Sequence, residues 1–237
     1  MNGLSASLTE VRELCRLLTT GEAPRCTVAI CPPATLLAAL SQIAAASGIV
    51  TGGQDCHTAD HGAHTGDISA TMLADAGAQY VIVGHSERRA DHGENDHLIR
   101  RKAQAAMGAG LSPIICVGES EVERREGRAE KIVAGQLADS VPDEAGQVPV
   151  VVAYEPVWAI GTGLTPTSDD IVKMHRMIRE HLVERFGDAG AGTRVLYGGS
   201  MKPANARDIL MLDNVDGGLV GGASLLANDF YAIISAV

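Results

Sequence analysis

The chain has 237 residues, 46% of them hydrophobic and 20% charged, enough to bury a substantial core, and it reads as a single domain over 1–237. Its formal charge of −10 argues against nucleic acid or an anionic membrane as partner, because both require a basic face. Aromatic residues make up only 3%, so the core must come from Val, Ile, Leu and Ala, and five cysteines without paired spacing fit reduced thiols in a cytoplasmic protein.

The first residues lack the basic start and apolar stretch of a signal peptide, and no apolar run reaches membrane-spanning length, so a soluble protein is expected. An amphipathic helix is predicted over 7–18 instead. Short apolar runs follow at 26–31, 49–54 and 80–84, and a helical pattern occupies 94–107. Further strands are expected at 111–117 and 148–154. The segment Thr167-Ser168-Asp169-Asp170 then caps a helix reaching about residue 186. Strands at 193–197 and 217–220 complete the set.

Each run ends at a Gly, Pro, Ser, Asp or Glu cluster rather than a tight hairpin turn, and the continuous Val148-Pro149-Val150-Val151-Val152 suits a strand buried on both faces. Parallel strands with helical crossovers follow. The closed α/β architecture of this kind, the (β/α)8 barrel, has eight strands, whereas seven are evident here and the chain opens on a helix, so the N-terminal strand is expected to be missing. An open doubly wound sheet would place a Gly-rich fingerprint after its first strand, where this chain has Pro32-Pro33-Ala34.

If the strands are parallel, the polar residues at their C-terminal ends share one rim. They are Gln54 and Asp55, then His85-Ser86-Glu87-Arg88, Glu119, Glu155, Ser200 and Gly221-Gly222. Glu155 ends an apolar strand beside Pro156 and the only tryptophan, Trp158, where desolvation favours a general base, although a strand-terminal Glu also caps or pairs with Arg. Gly161 and Gly163 bracket the end of an apolar stretch that could move as a cover. His85 is placed to start a short helix, whose N-terminus disfavours imidazolium and suits a neutral hydrogen-bond donor. Gly84-His85-Ser86-Glu87-Arg88 lacks the final glycine of a nucleophile elbow, so a serine hydrolase is set aside. The glycines at 161, 198–199 and 221–222 could converge backbone N–H groups on one anion. Cys56, His57, His61 and His64 crowd together with Asp55 and Asp60, a spacing that could hold zinc. Without a partner pair elsewhere, a polar surface loop and no metal are expected there.

With these residues in hand, the chain resembles the triosephosphate isomerase family from end to end. Tyr154-Glu155-Pro156-Val157-Trp158-Ala159-Ile160-Gly161-Thr162-Gly163 is similar to the family's base and lid, and Val83-Gly84-His85-Ser86-Glu87-Arg88-Arg89 to its electrophile segment, with Glu87 in support. Tyr197-Gly198-Gly199-Ser200 and Val220-Gly221-Gly222-Ala223-Ser224 resemble its phosphate loops. The resemblance implies Glu155 and His85 as catalytic residues, and Gly161, Ser200, Gly221 and Gly222 as phosphate contacts. The substrate would be a triose phosphate, with no cofactor or metal. Gly62-Ala63-His64-Thr65-Gly66-Asp67 resembles the loop inserted into a second subunit, so a homodimer is implied, with Thr65 approaching the partner's site.

The resemblance starts at Met1-Asn2-Gly3, after the family's first strand and its Asn-x-Lys, so the chain by itself is expected to be impaired. None of Lys102, Lys131, Lys173 or Lys202 stands at an equivalent position. Pro166 stands where the family offers an N–H to the tyrosine matching Tyr197, and Leu164 where it often has lysine. Two other readings stay open: a non-catalytic phosphosugar-binding barrel, and an isomerase of another small phosphosugar.

Overall fold

The computed structural model describes residues 1–21, 23–159 and 166–237. Seven parallel strands form one sheet in sequential order: β1 (Ala29–Ile30), β2 (Val50–Gly53), β3 (Tyr80–Val83), β4 (Ser112–Val117), β5 (Val151–Tyr154), β6 (Arg194–Tyr197) and β7 (Gly217–Gly218). Every predicted run contains one of them. The first and last are the shortest, because each has a neighbour on one side only and makes half the ladder bonds of an inner strand. Among the described residues, nothing pairs β1 with β7, and the curled sheet stays open between them.

Eleven α-helices surround this sheet among the described residues. They are α1 (Leu8–Thr20), α2 (Ala34–Ala44), α3 (Ala70–Asp75), α4 (Ser86–Asp91), α5 (Asp96–Gly108), α6 (Glu121–Arg125), α7 (Ala129–Ser140), α8 (Ser168–Phe186), α9 (Asp188–Gly192), α10 (Ala206–Leu210) and α11 (Ala227–Ile234). The predicted helices correspond to α1, α5 and α8. Thr167 caps α8 as its sequence suggested: its hydroxyl accepts the Asp170 N–H at 3.2 Å, and the Asp170 carboxylate accepts the Thr167 N–H at 3.1 Å. The buried face of α8, Ile171, Met174, Ile178 and Leu182, follows the helical period.

The strands alternate their side chains between two apolar layers. Val81, Val83, Ile115, Val117, Val152, Tyr154 and Val195 pack outward under the helices. Ile114, Cys116, Val151 and Ala153 point inward, joined by Tyr80, Ile82 and Leu196. Register holds this inner layer together, with Ile114 opposite Val151 and Ala153 opposite Leu196. The helical layer closes where the sheet does not. Val11, Leu14 and Leu18 of α1 share a core with Leu40 of α2 and Ala227 and Ile234 of α11. Glu10 adds a polar tie by accepting the Ala227 N–H at 2.8 Å. No described helix is long and apolar enough to cross a membrane.

Candidate active site

Parallel strands bring their C-terminal ends to one rim, and Glu155 stands there just after β5. Its N–H donates to the Val117 carbonyl at 2.8 Å, extending the β4–β5 ladder by one bond. This close approach needs a glycine opposite: a Cβ on Gly118 would sit 1.8 Å from the Glu155 carbonyl oxygen. The side chain is 2% exposed. Its carboxylate accepts the Ser86 N–H at 2.9 Å and the Ser86 hydroxyl at 3.3 Å. Cys116 lies against the same group. Burial, then the Glu155 charge, push that thiol well above its usual range and keep it protonated.

His85 follows β3 through Gly84, whose φ of +69° turns the chain. The imidazole caps α4, with Nδ1 accepting the Glu87 N–H at 3.3 Å. That bond places the neutral ring's proton on Nε2, which lies 2.9 Å from Glu155 Oε1. Burial lowers the affinity of His85 for a proton, while the hydrogen bond to Glu155 and the charges of Glu155 and Glu87 raise it. The net is a pKa above the ordinary value. The helix N-terminus therefore does not set its protonation alone while Glu155 is paired with it. Glu87 itself is an exposed carboxylate, 3.7 Å from Nδ1.

Glu155, His85, Gln54, Ser200, Gly221 and Gly222 line one cavity of about 1970 Å³ that also reaches Ile30 and Gly218 on the two sheet edges. The loop after β6 is braced by Asn205, which donates to the Ser200 carbonyl at 3.2 Å and accepts the Lys202 N–H at 2.7 Å. Gly221 and Gly222 are exposed, and a Cβ at either would meet nothing within 4 Å. Gly161 lies outside the described residues. Tyr197 is fully buried, and its hydroxyl has no hydrogen-bond partner among the described residues. Pro166, also buried, has no N–H to give it. Thr65 is exposed on its loop and does not line the cavity.

Two polar networks frame the site; the sequence reading named Asp55, Arg88 and Glu119 among the rim residues but missed Glu94 and Arg124. Glu119, fully buried, accepts Tyr154 Oη–H at 3.2 Å and Trp158 Nε1–H at 2.8 Å. Burial pushes its carboxyl up despite these donors. Arg124 lies 4.3 Å over the Trp158 ring and 2.7 Å from Asp170, joining the turn after Glu155 to the start of α8. On the other flank, Lys102 Nζ is 2.7 Å from Asp55 and 2.6 Å from Glu94, and Arg88 reaches both carboxylates at 2.9 and 2.7 Å. Asp55, a rim candidate, is thereby committed to structure.

The comparisons with known proteins agree with one another. A family model described as triosephosphate isomerase matches residues 1–237. A triosephosphate isomerase of Afipia carboxidovorans is 59% identical over all of this chain and 94% of its own length. One from Rhizobium etli is 53% identical over all of this chain and 92% of its length. The crystal structure of triosephosphate isomerase from Bartonella henselae superimposes with a TM-score of 0.91 at 44% identity, covering all of this chain and 94% of that one.

Proposed function

The chain belongs to the triosephosphate isomerase family, and from that premise we propose that it interconverts dihydroxyacetone phosphate and glyceraldehyde 3-phosphate by proton transfer through an enediolate. The observation that carries this reading is the buried Glu155 carboxylate held 2.9 Å from His85 Nε2 at the rim of the cavity. In the proposed reaction Glu155 turns from His85 to the substrate and takes a proton from the carbon beside the carbonyl. This frees the Nε2–H to polarise the carbonyl oxygen, and Glu155 returns the proton to the neighbouring carbon. A carboxylate base working beside a neutral histidine is the arrangement long described for triosephosphate isomerase, so the assignment is inherited from the family. Departure of Glu155 removes the largest influence holding the His85 pKa up and leaves burial to favour the neutral ring.

The backbone amides of Gly221 and Gly222, with Ser200 and Gly161, are proposed to hold the phosphate. Backbone N–H groups bind an oxyanion without needing a fixed charge. Glu87 and Tyr197 act in support. A homodimer is also proposed, with Thr65 reaching the partner's site. The exposure of its loop and of Ile68 and Met72, at 37% and 57%, supports a surface that a second copy covers. The five free thiols fit a reducing, cytoplasmic setting.

Coupled assays in both directions, on the parent chain and on Glu155→Gln, test the reaction. Interconversion that falls at least about 1000-fold in the variant, with binding of a phosphate analogue retained, is the expected result. Analogue binding without interconversion in the parent would favour the non-catalytic barrel.

A further inference from the structure

A phosphate dianion entering this cavity approaches a chain whose formal charge is −10, so its capture calls for local positive potential at the mouth. Four Arg and Lys side chains line the cavity: Arg25, Arg88, Arg194 and Lys202. Three of them are committed or misplaced. Arg88 is paired with Asp55 and Glu94 at 2.9 and 2.7 Å. Arg194 opens β6 and Arg25 precedes β1, so both belong to the N-terminal ends of the strands, on the rim opposite Glu155. Lys202 follows the C-terminal end of β6 on the same rim as Glu155, and among the described residues no carboxylate lies within 4.0 Å of its ammonium.

The local structure fixes where that ammonium is carried. Asn205 accepts the Lys202 N–H at 2.7 Å and donates to the Ser200 carbonyl at 3.2 Å, so one side chain ties the lysine backbone to the loop proposed to hold the phosphate. Met201, between them, is buried against Gly218, where a Cβ would stand 2.8 Å from the methionine sulfur, while Lys202 is exposed. Pro203 narrows the choice further by disfavouring helical backbone at Lys202. Two residues of chain span at most about 7 Å, which sets the upper limit on the separation of the Ser200 and Lys202 Cα atoms. Lys202 also stands four strands round the sheet from β2, whose following loop is the one placed against a second copy, so its exposure is compatible with that assembly.

We propose that Lys202 is the cation that draws the substrate's phosphate dianion to the loops of Ser200, Gly221 and Gly222. It is a positioning residue that acts through its charge on the bound anion and takes no part in the proton transfer. A lysine suits this task because its ammonium is a point charge on a flexible stem, able to follow the anion as the backbone amides take it up. The proposal rests on the phosphate-site reading above. Since the charge acts alike on bound substrate and transition state, it lowers KM and leaves kcat unchanged.

Calorimetric titration with glycerol 3-phosphate, at low and at high ionic strength, tests it on the parent, Lys202→Gln, Lys202→Arg and, as control, Lys131→Gln, an exposed lysine of α7 outside the cavity. Lys202→Gln is expected to bind about threefold to tenfold more weakly at low ionic strength, the effect of removing one charge about 7 Å from a dianion in water. The deficit should shrink as salt screens the field, with Lys202→Arg and Lys131→Gln binding like the parent. Parent-like binding by Lys202→Gln, a deficit that salt does not alter, or an equal loss in Lys202→Arg would each overturn the role of the charge. Steady-state kinetics on the same proteins separate this proposal from the isomerase reading. A parent that interconverts the triose phosphates while Lys202→Gln keeps its KM sinks Lys202 alone. A parent that binds with the expected salt dependence and does not interconvert them sinks the isomerase reading and leaves Lys202 in place.

Discussion

Gly118 and the backbone of Glu155 touch: a methyl group on Gly118 would lie 1.8 Å from the Glu155 carbonyl oxygen. Neither strand end can move aside freely, because the Glu155 N–H is bonded to Val117 at 2.8 Å and the Gly118 N–H to Gln136 Oε1 at 2.7 Å. Gly118→Ala is expected to displace the Glu155 backbone and destabilise the fold by about 1–3 kcal/mol, as overpacking does. The same variant should lose more in kcat than in KM, since the base is misplaced while the phosphate loops are untouched. Urea unfolding and steady-state kinetics measure the two effects, and a loss confined to KM would count against Glu155 as the group affected.

The pairing of Glu155 with His85 makes a titration prediction. The raised pKa of His85 depends on the carboxylate, with burial acting against it. In Glu155→Gln the midpoint of the His85 ring, followed by nitrogen-detected NMR, is expected to fall, and an unmoved midpoint would show that the pair is not coupled. The linkage has a defined sign. A raised folded pKa stabilises the fold fully below the unfolded value of about 6.5, and that contribution is lost as pH rises through the folded value.

His175 shows the opposite sign. It is fully buried behind Tyr154 and Tyr197, with Nδ1 2.9 Å from the Asn214 carbonyl, and burial lowers its pKa to about 4. The unfolded chain protonates this ring near 6.5, so stability is whole above that pH and drains as pH falls toward about 4, by roughly 3 kcal/mol in all. Denaturation midpoints between pH 7 and pH 4 should show the loss, reduced in His175→Gln. A pH dependence identical in the variant would assign acid lability to other groups.

Lys102 neutralises two carboxylates in a nearly closed site, its side chain 7% exposed and that of Glu94 only 3%. Lys102→Met leaves Asp55 and Glu94 facing each other with Arg88 alone to pair them. The expected cost is about 3–5 kcal/mol, the range for breaking a buried ion pair by removing one partner. Adding Glu94→Gln should recover part of it. Thermal unfolding of the single and double variants decides, and full additivity of the two losses would argue against the network.

The short-range features were legible in the chain. The apolar runs around Val81, Ile115 and Val152 announced buried parallel strands, and Thr167 with Asp170 announced the start of α8, because both signals depend on residues a few positions apart. Glu155, His85 and the glycine loops were legible as rim residues once parallel strands were assumed, and as a site through family resemblance. The strand edges were less so. The runs 26–31 and 217–220 were expected as full strands, but pairing on one side only reduces them to Ala29–Ile30 and Gly217–Gly218.

By itself, then, the sequence determined the parallel α/β architecture, the helix starts and the residue types gathered at the rim, since period and capping are local properties of a chain. Tertiary structure alone decided which of those residues meet. Ser86 and Glu155 are 69 positions apart, and Lys102 and Asp55 are 47, so only curling of the sheet into a common rim brings them into contact. It also turned Asp55 from a rim candidate into a structural anion, and drew His57, His64 and Asp67 together while burying Cys56. The physical reason is that distance and desolvation, which set charge state and hydrogen bonding, are properties of packing and have no counterpart in sequence spacing.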